Sequence, residues 1–158
     1  MRALVQRVTR ARCTVDDQVT GSIDVGLVAL IGAAVHDAPA DADWLARKVA
    51  GLRVFGDDTG HMNRDVLEAG GGVLVVPQFT LYGDARHGRR PEFTRAARPE
   101  HAEPLFERFC NALAGLGVPI ARGVFRAHMA IELVNDGPVT LMLESPYAGA
   151  GSDATHGA

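Results

Sequence analysis

The feature that most constrains the fold is a short apolar run, Val73-Leu74-Val75-Val76, set between Gly70-Gly71-Gly72 and Pro77. It is rich in β-branched residues and no polar residue interrupts it, the pattern of a strand buried on both faces. The glycines before it and the proline after it mark its limits. Gln78 and Thr80 follow directly, flanked by Phe79 and Leu81. Polar groups on the end of a buried strand are held rigidly, as a site that positions a substrate requires. Taken alone, the same two residues could equally serve to satisfy backbone groups where the strand ends.

Around this strand the chain reads as one mixed α/β domain. Arg2 to Val8 has the pattern of a strand; Arg12 to Val15 and Val19 to Asp24 form a hairpin about Asp16-Asp17. Gly26 to Ala34 is uncharged and reads as a second buried strand. Pro39 and Asp41 open a helix in which Trp44, Leu45, Lys48, Val49 and Leu52 share a face, the Lys48 charge reaching water. Gly56 to Gly60 is a turn. Pro99 to Leu116 is a second helix with Leu105, Phe106, Phe109 and Leu113 inward and Gly117 as its stop; Pro104 predicts that its regular part begins near that residue. Ile120 to Phe125, Met129 to Val134 and Val139 to Leu143 are strands that could close the domain as a meander. Residues 1–146 are thus expected to form the domain, and 147–158, small and polar, a disordered tail.

Ordinary catalytic equipment is scarce. The three serines, Ser22, Ser145 and Ser152, lie in no nucleophile-elbow pattern. The six histidines include no i, i+4 pair and no cysteine partner at ligand spacing, so no metal or cofactor is expected. Cys13 and Cys110 are too few for a disulfide framework and fit a reducing cytoplasm. His87 and His128 could act as general bases, and each is more simply a surface or strand-end residue. No apolar run reaches membrane-spanning length. A net charge of −3 argues against non-specific nucleic-acid binding by the whole surface. Between residues 86 and 98, however, five arginines face one glutamate. In that segment Arg86, Arg89 and Arg90, beside a glycine and a proline, make a candidate phosphate-facing loop.

Two stretches about 55 residues apart, Gln78-Phe79-Thr80-Leu81 and Asn135-Asp136-Gly137-Pro138-Val139-Thr140, together resemble the D-aminoacyl-tRNA deacylase family. The likeness runs from Met1 to Ser145 and takes in the opening Arg-Ala-Leu-Val-Gln-Arg-Val and Gly88-Arg89-Arg90-Pro91. It implies a three-layer β/β/α domain in the order β2-(βα)2-β3, and a homodimer. It also implies an ester hydrolase for a D-amino acid, or glycine, carried on the terminal adenosine of tRNA. By the same resemblance, main-chain N–H groups near Phe79 and Thr80 would hold the ester carbonyl, with Gln78 shaping the loop and Thr80 positioning. Water would attack, assisted by the ribose 2′-hydroxyl. A cis Gly137-Pro138 would enter the partner's site and exclude L-amino acids, Arg7 would brace it from the partner subunit, and Phe125 and Met129 would hold the adenine.

The chain departs from the family pattern twice. Pro77 stands where the family usually has serine, and Pro-Gln also occurs in a sibling group that acts on an L-alanyl-tRNA. Arg126 stands where the family commonly has glycine, a residue used for positive φ or close approach. Two alternatives therefore stand beside the deacylase reading: a same-fold editing enzyme with relaxed chirality, and a nucleic-acid-binding module without catalysis.

Overall fold

The structure is a computed structural model that describes residues 1–146; the expected tail, 147–158, lies outside the described residues. Strand β1 (Arg2–Val15) pairs with three neighbours, and it turns into β2 (Gln18–Ile23) through Asp16 and Asp17. Both aspartates have positive φ, 46° and 61°, as a two-residue hairpin turn of matching twist demands. Strand β3 (Gly26–Gly32) pairs antiparallel with the first half of β1, Arg2 opposite Gly32 and Val8 opposite Gly26. On its other side β3 runs parallel to β6 (Gly72–Pro77), which in turn pairs with β7 (Ile120–Arg122), also parallel. Strand β8 (Ala130–Glu144) runs antiparallel along β1 for almost its full length. The spatial order is β2-β1-β3-β6-β7, with β8 branching from β1. Strands β4 (Phe55–Gly56) and β5 (Met62–Arg64) form a separate small hairpin.

Helices α1 (Pro39–Ala50) and α2 (Pro99–Gly115) cover one face of this sheet. The Asp41 carboxylate accepts the N–H of Ala38 at 2.8 Å and so caps the start of α1. Leu45, Val49, Leu105, Phe106, Phe109 and Leu113 from the two helices meet Val5, Leu27, Ala29, Val73 and Val75 from the sheet in the larger core. A smaller core on the opposite side collects Val8, Ala11, Cys13, Val28, Leu74 and Val76. The two sets alternate along β3 and β6, as side chains on a strand buried on both faces must. The three layers implied by the family thus come from one hydrogen-bonded sheet that folds over itself, the far ends of β1 and β8 together with β2 making the outer layer.

Several sequence expectations are corrected. The segments 2–8 and 12–15 are one strand, and 129–134 and 139–143 belong to one strand, β8. No meander forms: β7 pairs with β6, and β8 crosses to β1. Helix α2 starts at Pro99, a full turn before Pro104, because one missing N–H in the second turn removes a single bond. In α1 the buried stripe is Ala42, Leu45, Ala46, Val49 and Ala50, while Trp44 lies at its margin with the Lys48 ammonium 6.0 Å over its ring. Cys110 is core, and burial pushes its thiol up to about 12.

The ends of the domain are tied together by charge. The Met1 ammonium, fully buried, lies 2.8 Å from the Asp37 carboxylate and donates to the Ser145 hydroxyl at 2.5 Å. The Ser145 N–H returns a bond to the Met1 carbonyl at 2.9 Å. Asp37 also accepts the Ala34 N–H at 2.6 Å, and His101 donates to the Asp37 carbonyl at 2.8 Å. A buried cation loses far more when its partner is removed than the pair contributes over an apolar substitute. Asp37→Asn is therefore expected to lower unfolding free energy by about 3–5 kcal/mol, measured by urea denaturation. Backbone strain supplies a second expectation. Arg126 is held at φ 65°, in the left-handed region that favours glycine. Arg126→Gly should leave stability unchanged or raise it by up to about 1 kcal/mol, and Arg126→Val should lower it by about 1–2 kcal/mol, in the same assay.

Candidate active site

The end of β6 leads straight into the proposed site. The Gln78 N–H donates to the Ile31 carbonyl at 2.7 Å, continuing the parallel ladder by one bond past Pro77. The chain then coils into a single 3-10 turn, Phe79–Tyr82. Three features fix that turn against β3. A Cβ on Gly32 would lie 2.9 Å from the Gln78 carbonyl, so only glycine permits so close an approach. The Arg2 guanidinium donates to the Leu81 carbonyl at 3.1 Å and covers the Tyr82 ring at 4.6 Å. Tyr82 itself is buried, and its phenol is pushed above its ordinary range, chiefly by that burial.

The first N–H groups of such a turn have no partner within it. Among the described residues, those of Phe79 and Thr80 donate to no acceptor of the chain. Both residues are exposed, Phe79 by 55%, with its ring set edge-on to Phe93 at 5.1 Å. Gln78 donates through its side-chain amide to the Thr80 hydroxyl. Among the described residues no titratable group bonds that hydroxyl, so none of them activates it as a nucleophile.

Beside the turn lies a cavity of about 650 Å³, the size of a small-ligand site. Pro77, Gln78 and Phe79 form one wall, and Phe125, Arg126, His128 and Met129 another. Phe125 packs against Phe106 of α2 at 6.1 Å, and the Met129 sulfur accepts the Val124 N–H at 3.3 Å. These contacts fold the segment between β7 and β8 back over the end of β6. Met1 and Phe106 belong to the same lining, so the buried terminal ion pair lies behind the cavity.

Not every predicted site residue meets here. Thr80 is outside the cavity lining, one residue past Phe79, which belongs to it. Gly137 and Pro138 are exposed on β8 and do not line the cavity of their own chain; the bond between them is cis. Their setting follows from the ladder: Gln6 faces Thr140 and Val8 faces Asn135, so residues 136–139 bulge opposite Arg7. Arg7 donates to the Asp136 carbonyl at 3.2 Å, pairs with its carboxylate at 3.1 Å, and donates to the Val54 carbonyl at 2.5 Å. Within its own chain Arg7 thus braces the bulge, because the strand pairing puts the two side by side. Gly137 has φ 124°, and a Cβ there would lie 2.9 Å from Arg7 Nη2.

Arg86, Arg89 and Arg90 are exposed on a loop closed by paired main-chain bonds between Asp84 and Glu92, both 2.8 Å. Arg86 already engages Asp84 through its fork, which holds that carboxylate below its usual range. Arg89 and Arg90 have no acidic partner among the described residues. Sequence reasoning did not find Phe93 or Met1: both adjoin stretches that carry the family likeness, but only the fold brings them to the cavity. No group of three or more His, Cys, Asp or Glu side chains among the described residues could hold a metal ion.

Comparison with known proteins agrees with this geometry. The model of the D-Tyr-tRNA(Tyr) deacylase family matches residues 4–144. The D-aminoacyl-tRNA deacylase of Symbiobacterium thermophilum is 59% identical over 145 residues, covering 92% of this chain and 96% of that one. The Deinococcus radiodurans protein of the same name is 56% identical over 144 residues, covering 91% and 99%. Among solved structures, the c-Myc DNA Unwinding Element Binding Protein superposes with a TM-score of 0.86 at 37% identity, over 92% and 99% of the two chains. A probable eukaryotic D-amino acid tRNA deacylase shares the fold at TM-score 0.77 and 16% identity, over 90% and 98%. With its strand-end turn, its cavity and its family match spanning the described domain, the chain belongs to the D-aminoacyl-tRNA deacylase family.

Proposed function

We propose that this protein hydrolyses the ester bond of D-aminoacyl-tRNA, and of glycyl-tRNA, acting where charged tRNA is used, in the cytoplasm. The observation that carries the reading is the pair of unpartnered main-chain N–H groups at Phe79 and Thr80, beside a cavity that offers no activated nucleophile. Two such donors suit an oxyanion, and each contributes on the order of 3 kcal/mol at a transition state. Water adds to the ester carbonyl with the ribose 2′-hydroxyl assisting. The bond to the 3′-oxygen then breaks, and that oxygen leaves with a proton. Phe125 and Met129 hold the terminal adenine, with Phe125 as the stacking surface. Gln78 keeps the turn in shape through Thr80.

Chirality is assigned to Gly137 and Pro138 of a second copy. Both are exposed and lie outside the cavity of their own chain, so they are free to serve another. The same strand exposes Val134, Leu141 and Met142, apolar surface that a two-fold pair would cover. Main-chain carbonyls placed before the substrate α-carbon would leave room for hydrogen and strike an L side chain, which is selection by exclusion. Arg89 and Arg90 are assigned to tRNA phosphates, with Arg86 beside them. Pro77 replaces a hydroxyl at the rim, but the two donors lie beyond it.

The test is deacylation of purified D-tyrosyl-, L-tyrosyl- and glycyl-tRNA. The D and glycyl esters should be cleaved at least about a hundredfold faster than the L ester, near 2.7 kcal/mol in barrier. Pro77→Ser should change the ratio by about tenfold or less. Equal cleavage of D and L esters, with strict D preference restored by Pro77→Ser, would place the protein with the relaxed-chirality relatives.

A further inference from the structure

A second hollow, of about 460 Å³, adjoins the main cavity. The two share the wall made by Phe93, Ala96, Ala97 and Arg98, and the far side of the second is Val35, Thr94 and His101. Its lining combines an aromatic ring, an imidazole and a guanidinium. Phe93 supplies an aromatic surface already fixed by its contact with Phe79. His101 is held in orientation by the Asp37 carbonyl. Arg98 is exposed and has no acidic partner among the described residues.

The position of Arg98 decides the assignment. Successive nucleotides are joined by one phosphodiester, so if the terminal nucleoside fills the first cavity, the phosphate that follows must cross its border. Arg98 is the cationic side chain on the wall that both hollows share. A guanidinium there meets a phosphate with charge and geometry matched. We propose that the second hollow receives the penultimate nucleotide of the tRNA 3′ end, with Arg98 on the phosphodiester joining it to the terminal nucleotide and Phe93 against its base. This rests on the deacylase reading and extends it by one nucleotide. Stacking and phosphate contact of this kind tolerate any sequence, so the subsite adds affinity for tRNA ends in general.

The experiment compares two substrates, D-tyrosyl-tRNA and the 3′-O-D-tyrosyl ester of adenosine, which lacks both the phosphate and the second nucleotide. Arg98→Ala removes the cation, and Val35→Trp fills the second hollow from a position outside the first. Each should raise KM for the tRNA ester about tenfold with kcat within about twofold, and leave KM for the adenosine ester within about twofold. Arg98→Ala should also reduce the dependence of log KM on log salt by about 0.7, and Arg98→Lys should restore most of the affinity. Equal changes for both substrates, or no change for the tRNA ester, would overturn the subsite while leaving the deacylase reading intact. Cleavage of neither substrate by the unaltered protein would overturn both.

Discussion

The antiparallel ladder between β1 and β8 carries the rest of the structure. It joins the two ends of the described domain, so the buried Met1 ammonium, Asp37 and Ser145 meet behind the cavity. At its middle the register slips, and residues 136–139 are pushed out opposite Arg7. One ladder thus fixes the back of the site in its own chain and presents Gly137 and Pro138 outward. A bulge that is hydrogen-bonded to a neighbouring arginine is held firmly, which a device for excluding a side chain needs.

In the proposed mechanism the site depends on main-chain groups more than on side chains. Pro77 ends β6, Gly32 lets the next turn lie close to β3, and the turn leaves the Phe79 and Thr80 N–H groups without partners among the described residues. The cavity beside the turn is walled largely by apolar side chains, among them Ile31, Val76, Phe106 and Phe125. Such a site tolerates change at its side chains as long as the turn is kept. That accounts for how proline can stand at residue 77, and for how Arg126 can stand at the rim with its backbone at φ 65°.

Much of this was legible in the sequence, and what was missed has physical causes. The β-branched run before Pro77, the Asp16-Asp17 hairpin and both helices follow from local pattern, which local energetics largely decide. The continuity of β1 and β8 does not: bulges near Arg7 and at Asn135–Thr140 interrupt the period-two alternation, so each long strand reads as two. The meander failed because pairing partners are set by long-range packing, which puts β7 beside β6 and β8 beside β1. Gln78 to Thr80 stood out as polar residues on a buried strand end. Phe93, Arg98 and Met1 did not, since they reach the cavity only through the turn into α2 and the ladder at the chain start.

In the proposed mechanism, main-chain donors carry the reaction with no side-chain base or nucleophile. Single-turnover deacylation of D-tyrosyl-tRNA by the Thr80→Ala/His128→Ala double variant tests it most directly. Thr80 is the hydroxyl nearest the donors and His128 a titratable group in the cavity wall. The account predicts a rate within about tenfold of the unaltered protein, since one lost general base alone costs on the order of a hundredfold or more. A loss of about a hundredfold or more, with the fold intact by circular dichroism, would contradict it.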